Sequence, residues 1–566
     1  MDPIALLLIG MAIVIGGILF FRLHAFLALI IAALAVAGLT RKENITQFHL
    51  DSAGIRIAPF EQSNDSMDLL PGSKQAFIPG RSIILRPDKS GIFKEHGRGT
   101  IEHISAVATT EDGLEVEQSY YDLTLKNHDF DLGAQDRVVH ETQYASALSA
   151  SKKNMGERVA GNFGKTCTGI GILIAMAAII GKCLMDSGGA ERIVLGMRNA
   201  FGEKRAPLAF IGSGFTLGIP VFFDTVFYLM IPLGKAMRVR TGKNYLLYVL
   251  TIVAGGTMAH SLVPPTPGPL FVAGELGVDI GLMMLAGTIV GLFTAGSGYL
   301  YALWANKRWD IPLRESAELP QEQLEAMANR DESELPGLLF SIMPILLPVV
   351  LMAGGTILDM SLKAAAAPPQ WLLDLKPTYT LLGNKNIAMT LAAVFSLVLL
   401  ARSRKAGKEQ IGNAIQSALA SGGVIILITA AGGAFGGALR ESGISMTIQT
   451  MLPETQVGLL PLAFIITMVV RTAQGSATVA MITAVGIISP ILASQPLSYN
   501  PLWIALAIGC GSKPISWMND SGFWVISKMS GLTEGEMLKT NTAMGCIMAS
   551  VGLIVCMVGA TILPLA

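Results

Sequence analysis

Charged residues are scarce. Asp, Glu, Lys and Arg make up 14% of the 566 residues, against about a quarter in soluble domains. A soluble chain of this length would need more charge to cover its surface. With 51% hydrophobic residues and a mean hydropathy of +0.54, the composition points to lipid. An excess of either charge is also missing. The 41 basic and 41 acidic residues cancel, which argues against a nucleic-acid partner. Cysteines number five (Cys167, Cys183, Cys510, Cys546 and Cys556), all in apolar stretches without CxxC spacing or a Cys/His cluster. They read as small core residues and not as metal ligands or disulfides, so no metal and no cofactor are expected. There is no GxxxxGK[ST], so ATP-driven transport has no support. The N-terminus lacks a basic region before its first apolar run, and that run reads as a membrane helix and not a cleaved signal peptide.

What is present is a series of apolar runs long enough to span a bilayer, which takes about 20 residues. They lie near 4–21, 24–40, 166–185, 244–276, 279–304, 337–357, 386–402, 412–439, 500–530 and 537–562. Two further stretches, 207–234 and 457–492, break at Gly218-Ile-Pro220 and at Arg471-Thr-Ala-Gln-Gly-Ser476. Each is too long for one helix and too short for two spans, so a re-entrant hairpin is expected in both. Two spans are themselves interrupted, one by Val263-Pro-Pro-Thr-Pro-Gly-Pro269 and the other by Met518-Asn-Asp-Ser-Gly522. Prolines so placed remove N–H groups and clash with the preceding turn.

These breaks recur in register. Pro207-Leu-Ala-Phe-Ile211 returns as Pro461-Leu-Ala-Phe-Ile465, 254 residues on, and the same offset lays Gly255, Gly268, Gly277 and Gly281 over Gly509, Gly522, Gly531 and Gly535. Paired discontinuous segments in two halves mark the binding region of a secondary transporter. Basic residues after the spans give orientation: Arg22, Arg198, Arg205, Arg238, Arg240, Lys307, Arg308, Arg402 and Lys408 all fit one cytoplasmic side. Both termini then lie outside and the two halves are inverted. The fold expected is an all-α polytopic membrane protein of two inverted repeats, each with five spans, a re-entrant hairpin and discontinuous helices. The domain reading is spans 1–2 at 1–42, an insert at 43–155, the rest of the first repeat at 156–310, a cytoplasmic linker at 311–336 and the second repeat at 337–566. The insert is polar and holds His49, His96, His103, His128 and His140, too scattered for ligand spacing. Weak alternation at 81–86 and 113–125 predicts a small β-rich extramembrane domain on the outside.

Ionisable residues inside membrane segments are functional-site hypotheses by default. Asp186, Asp224, His260, Glu275, Arg471, Lys513 and Asp520 qualify. Arg471 sits at the second hairpin's break, before Gln474, Gly475, Ser476 and Thr478. A helix N-terminus there would favour an anion, and the guanidinium fork suits a carboxylate; the competing reading is a structural pair with Asp520 or Glu441. Asp224 follows the first hairpin's break at Pro220 and, with His260 and Asp186, is a candidate for proton coupling. Asn519, Asp520 and Ser521 supply groups for substrate hydroxyls, with Thr266 and Gly268 opposite. Lys513 reads equally well as a structural bridge to Asp520.

Taken together, Asp186-Ser-Gly-Gly-Ala-Glu-Arg-Ile193, Gly218-Ile-Pro-Val-Phe-Phe-Asp224, His260 with Val263-Pro-Pro-Thr-Pro-Gly-Pro269, Gly475-Ser-Ala-Thr-Val-Ala480 and Asn519-Asp-Ser-Gly-Phe-Trp524 resemble the gluconate permease family. The resemblance covers nearly everything outside 43–155. It implies proton-coupled uptake of gluconate or a related sugar acid across the bacterial inner membrane. By similarity to the wider ion-transporter superfamily, it also implies elevator-like movement. The partners expected are a gluconate-like anion, protons and the bilayer, with a homodimer left open and no enzymatic activity. Two alternatives stand beside it: a carrier of another organic anion such as a hydroxy-dicarboxylate, and a membrane receptor with an outer sensor domain.

Overall fold

A computed structural model describes the chain except residues 1, 54, 63–65, 72–77, 88–92, 110–114, 126–135, 203–204, 315–334, 365–368, 405–406, 445–457, 493–496, 519 and 566. The chain divides into two compact units, residues 1–10, 34–160 and 437–447, and residues 11–33, 161–436 and 448–566. Helices α1 (Pro3–Leu19) and α2 (Ala25–Leu39) open the chain.

The first unit holds α3 (Lys42–Ala53), six strands and α4 (Glu141–Lys152). The strands are β1 (Ile55–Gln62), β2 (Ser66–Pro71), β3 (Gly80–Pro87), β4 (Phe93–Thr109), β5 (Glu115–Leu125) and β6 (Arg137–His140). They close into an antiparallel barrel in the order β1-β2-β5-β4-β3-β6. The reading of 81–86 as a half-buried strand is corrected here: residues 82–85 are all buried. Ile84 joins Met67, Ile101, Leu123 and Val138 in one cluster, while Ile83 and Leu85 pack with Leu50 of α3 and Ala147 of α4 in another. A strand covered on both faces loses its alternation. Elsewhere in this unit buried Arg158 donates to Glu441 at 2.8 Å and to the Ala37 carbonyl at 2.6 Å. Glu441 is therefore not the partner of Arg471.

The second unit is helical. In chain order come α5 (Met155–Asp186), α6 (Gly189–Phe201), α7 (Ala206–Gly218), α8 (Phe223–Thr241), α9 (Tyr245–Leu262), α10 (Pro267–Glu275) and α11 (Ile280–Arg308). After them come α12 (Leu338–Ala364), α13 (Gln370–Leu382), α14 (Lys385–Arg404), α15 (Lys408–Glu441), α16 (Leu459–Gln474) and α17 (Ala477–Leu492). The chain ends with α18 (Leu502–Gly511), α19 (Ser521–Ser530), α20 (Glu534–Met537), a π turn (Leu538–Thr542) and α21 (Ala543–Ile562). Among the described residues seven helices are long and apolar enough to cross a membrane, and the α2–α3 pair, bent by 97°, would make an eighth. The ten spans read from the sequence include two that fall short. One is α1, with 17 residues; the other is 500–530, which is two ten-residue helices.

That last interruption is longer than the sequence suggested. The helix ends at Gly511 and does not resume until Ser521, because Pro514 has no N–H to continue it. The other breaks fall where expected. Residues 219–222 separate α7 from α8, residues 263–266 separate α9 from α10, and Gly475–Ser476 separate α16 from α17. Gly475 ends α16 with φ +89°, a conformation that glycine adopts without steric cost. Helix α7 lies directly on α9: a Cβ on Gly255 would sit 2.2 Å from the Ile211 carbonyl oxygen and 2.9 Å from the Phe215 nitrogen. Only hydrogen fits there, so the two backbones touch.

Candidate functional site

Four interrupted segments converge on a cavity of about 300 Å³. Helix α8 begins after the turn at Pro220, which puts Asp224 in its first turn, and its N-cap Phe222 makes no side-chain cap. Helix α9 brings Thr257 and His260, three residues apart and so on one face, to the cavity wall. At the α16–α17 turn, Arg471 occupies the last turn of one helix while Ser476 accepts from the Val479 N–H at the start of the next. Between α18 and α19 the chain is unwound through Ser512, Lys513 and Ser516, and Asp520 caps α19 by accepting from the Gly522 N–H at 2.9 Å.

The N-termini of α8, α17 and α19 therefore all open on one space, lined by Asp224, Thr478 and Ser521 in their first turns or caps. Helix N-termini carry partial positive charge and N–H groups without intrahelical partners, so the space favours an anion.

Arg471 is buried at 5% exposure. Its Nε donates to the Ser512 carbonyl at 3.0 Å and its Nη2 to Asp520, which also accepts from Ser516 Oγ. This settles the pairing: Asp520 belongs to Arg471 and not to Lys513. Among the described residues, Arg471 Nη1 is buried without a hydrogen-bond partner, as is His260 Nδ1, and both residues line the cavity. Unsatisfied buried polar atoms are rare enough to require an explanation. Nearby, Trp517 donates from Nε1 to the Thr472 carbonyl at 2.9 Å and links the α18–α19 break to the end of α16. Phe222, Phe223, Ile425, Ile428, Met544 and Met548 supply the apolar walls.

Of the residues singled out from the sequence, Arg471, Ser476, Thr478, Asp520, Ser521, Asp224 and His260 meet at this cavity. Most of the others do not. Asp186 is partly exposed and paired with Lys182 at 2.9 Å. The Thr266 hydroxyl donates to the Val263 carbonyl at 2.7 Å. Gly268 packs against Met481, and the Pro220 carbonyl packs against Gly181. Gly475 serves as the helix end. Asn519 and the side chain of Gln474 lie outside the described residues. Lys513, read from the sequence as a candidate or a bridge to Asp520, lines the cavity as well, and the structure adds Thr257, Ser516 and Asn541. Asn541 carried a signal in the polar run Lys539-Thr-Asn-Thr542 at the head of an apolar segment, where the helix widens to a π turn.

A polytopic helical bundle with broken helices meeting at a buried, charged cavity defines a membrane transporter. Two solved transporters share the fold. They are YdaH of Alcanivorax borkumensis (TM-score 0.52, 15% identity) and MtrF of Neisseria gonorrhoeae (TM-score 0.52, 14% identity). Each alignment covers 78% of this chain, with 94% of the first and 90% of the second. The chain belongs to the GntP family permeases, whose profile it matches over residues 143–562. It is thus a multi-pass membrane permease and not an enzyme. Among similar proteins, a gluconate permease of Pseudomonas aeruginosa is 34% identical, covering 69% of this chain and 84% of its own length. A high-affinity gluconate transporter of Escherichia coli K12 is 33% identical, covering 70% and 86%. An uncharacterized permease of Haemophilus influenzae is 35% identical, covering 66% and 76%.

Proposed function

We infer that this permease takes up gluconate or a related sugar-acid monoanion with protons across the bacterial inner membrane. The observation that carries the reading is the meeting of three helix N-termini and two cationic side chains, Arg471 and Lys513, around a cavity of about 300 Å³. That size is at the small end of the ~300–1,000 Å³ usual for small-molecule sites. Arg471 Nη1, Ser476, Thr478, Ser516, Ser521 and Asn541 offer donors and acceptors for a carboxylate and a hydroxylated chain. Asp224 is the group that exchanges a proton, with His260 facing the same space from α9. A hydroxy-dicarboxylate fits less well, because Asp520 already balances Arg471 and leaves one cation for one carboxylate.

The architecture behind this reading is a pair of inverted repeats, 156–310 and 337–566, with the 43–155 insert on the outer side. Its support is the 254-residue offset, under which α7 answers α16, α9 answers α18 and α10 answers α19. A homodimer is compatible with it and is not required by the site.

The test is uptake of a panel of labelled sugar acids and hydroxy acids into proteoliposomes, with and without a pH gradient. Gluconate-type monoanions should accumulate when the outside is acidic, and dicarboxylates should compete poorly. Preferred accumulation of a dicarboxylate, or uptake indifferent to the gradient, would overturn the reading.

A further inference from the structure

Among the described residues, four formally charged side chains line the cavity, and they divide into two kinds. Arg471 and Asp520 hold each other. Asp520 has little capacity left: one oxygen accepts from Arg471 and Ser516, the other from the Gly522 N–H. This pair is neutral and ties α16 to the α18–α19 break. Lys513 and Asp224 differ, since among the described residues neither forms a hydrogen bond through its side chain or an ion pair. Each nonetheless feels the other's charge across the cavity, and Lys513 also lies within electrostatic reach of Arg471, Asp520 and Cys510. His260 faces the same space from α9. The two carboxylates flank the start of α19: a Cβ on Gly522 would lie 3.3 Å from one oxygen of Asp520 and 3.8 Å from one of Asp224.

We propose that Lys513 holds the carboxylate of the transported anion, and that Asp224, its counter-charge in the empty cavity, takes up one proton from solution each time the anion arrives. The proposal rests on the reading of the site as a carrier of an organic monoanion, and it adds which residue recognises the charge and how many protons accompany it. Uncompensated charge in a water-poor, low-dielectric space is costly, so each state of the cavity should be close to neutral. Empty, the positive Lys513 offsets the negative Asp224. Loaded, it offsets the substrate carboxylate, and Asp224 must then be neutral. The proton adds to a carboxylate oxygen of Asp224 from the water on the side to which the cavity opens. It leaves to water on the other side as the anion departs. Arg471, Asp520 and neutral His260 contribute no net change. Each cycle therefore moves one proton and one monoanion, and no net charge.

Lysine suits this exchange because its ammonium is a point charge on a flexible stem, able to follow one anion or the other. Its backbone is held, with the N–H donating to the Cys510 carbonyl at 3.1 Å and its own carbonyl 3.1 Å from where a Cβ on Gly545 would lie.

The test uses full-length protein in liposomes with labelled gluconate, with potential set by potassium and valinomycin independently of the pH gradient. Parent uptake should follow the pH gradient and ignore the potential. Asp224→Asn should still carry gluconate but without pH dependence. Because its empty cavity keeps the Lys513 charge on the return, its uptake should now be driven by an inside-positive potential. Lys513→Gln should bind gluconate at least about tenfold more weakly in detergent titration, with Lys513→Arg recovering part of the loss. Should Lys513→Gln not fold, the charge-balanced Asp224→Asn/Lys513→Gln variant serves instead and should bind equally weakly. Parent uptake accelerated by an inside-negative potential would mean more than one proton per anion and would overturn the stoichiometry. A Lys513→Gln or double variant with parental affinity would overturn the role of Lys513, and Asp224→Asn uptake still driven by the pH gradient would overturn that of Asp224. If the parent carries no sugar acid at all, it is the functional reading that fails, not this assignment of charges.

Discussion

Removing the Arg471 guanidinium should destabilise the protein whatever it does to transport. Arg471→Gln takes away the Nε bond to the Ser512 carbonyl and leaves Asp520, itself buried, without its counter-charge. Breaking a buried ion pair from one side costs about 3–5 kcal/mol, because the partner remains as an uncompensated charge. Adding Asp520→Asn removes that charge while keeping the shape that caps α19 and receives Ser516. The double variant should therefore recover much of the loss, with a coupling of about 1–3 kcal/mol. Arg471→Lys should fall between, since one ammonium cannot serve both Ser512 and Asp520 in the planar geometry of the fork. The assay is reversible unfolding titrated with SDS, run beside gluconate binding so that stability and recognition are read separately. An Arg471→Gln protein within about 0.5 kcal/mol of the parent would refute the argument, since surface changes typically fall in that range. So would a double variant no more stable than the single.

Three further outcomes follow. A cysteine at exposed Lys94 on β4, in a background without the five native cysteines, should react with an impermeant thiol reagent in intact cells with a permeable outer membrane. Labelling only after inner-membrane lysis would reverse the orientation. Joining about residue 43 to about residue 155 by a short flexible linker should leave measurable gluconate uptake, since under the proposed repeat the corresponding turn, from α14 to α15, carries no such domain; complete loss in a protein that still inserts would make the barrel part of the mechanism. Gly255→Val should abolish folding or uptake, as its side chain would enter the Ile211 and Phe215 backbone, and a fully active variant would show that α7 and α9 part easily.

The helix breaks were legible because their causes are local. Pro220, the prolines of 263–269 and Gly475 act on the turn they occupy, whatever surrounds them. The α18–α19 break reaches further back than the polar run at 518–522 marks, because Pro514 removes an N–H from the ladder ahead of that run. The cavity was half legible. Charged residues next to breaks flagged Arg471, Asp224, His260 and Asp520, but which of them pair is a tertiary fact: Arg471 and Asp520 are 49 positions apart. The same applies to Thr266 and Pro220. Their place beside a break made them candidates, and packing turned them to structural work. In the insert, strand period was legible only weakly, because β3 is covered by the barrel on one face and by α3 and α4 on the other.

Closure of the barrel has a consequence for biosynthesis. Strand β1 pairs with β6 as well as with β2, with Ile55 opposite Val138 and Arg56 opposite Arg137. The first strand thus stays incomplete until the last has been made, and a translating ribosome will have released both leading helices before either edge is satisfied. An open strand edge is a template for wrong pairing. The interval between Ile55 and Val138 is therefore when the nascent chain is most exposed to its neighbours. Once His140 has emerged the barrel is closed, and among the described residues the β4–β5 hairpin beyond it still carries open strand edges, where residues 104–109 pair with 115–120 and with no other strand.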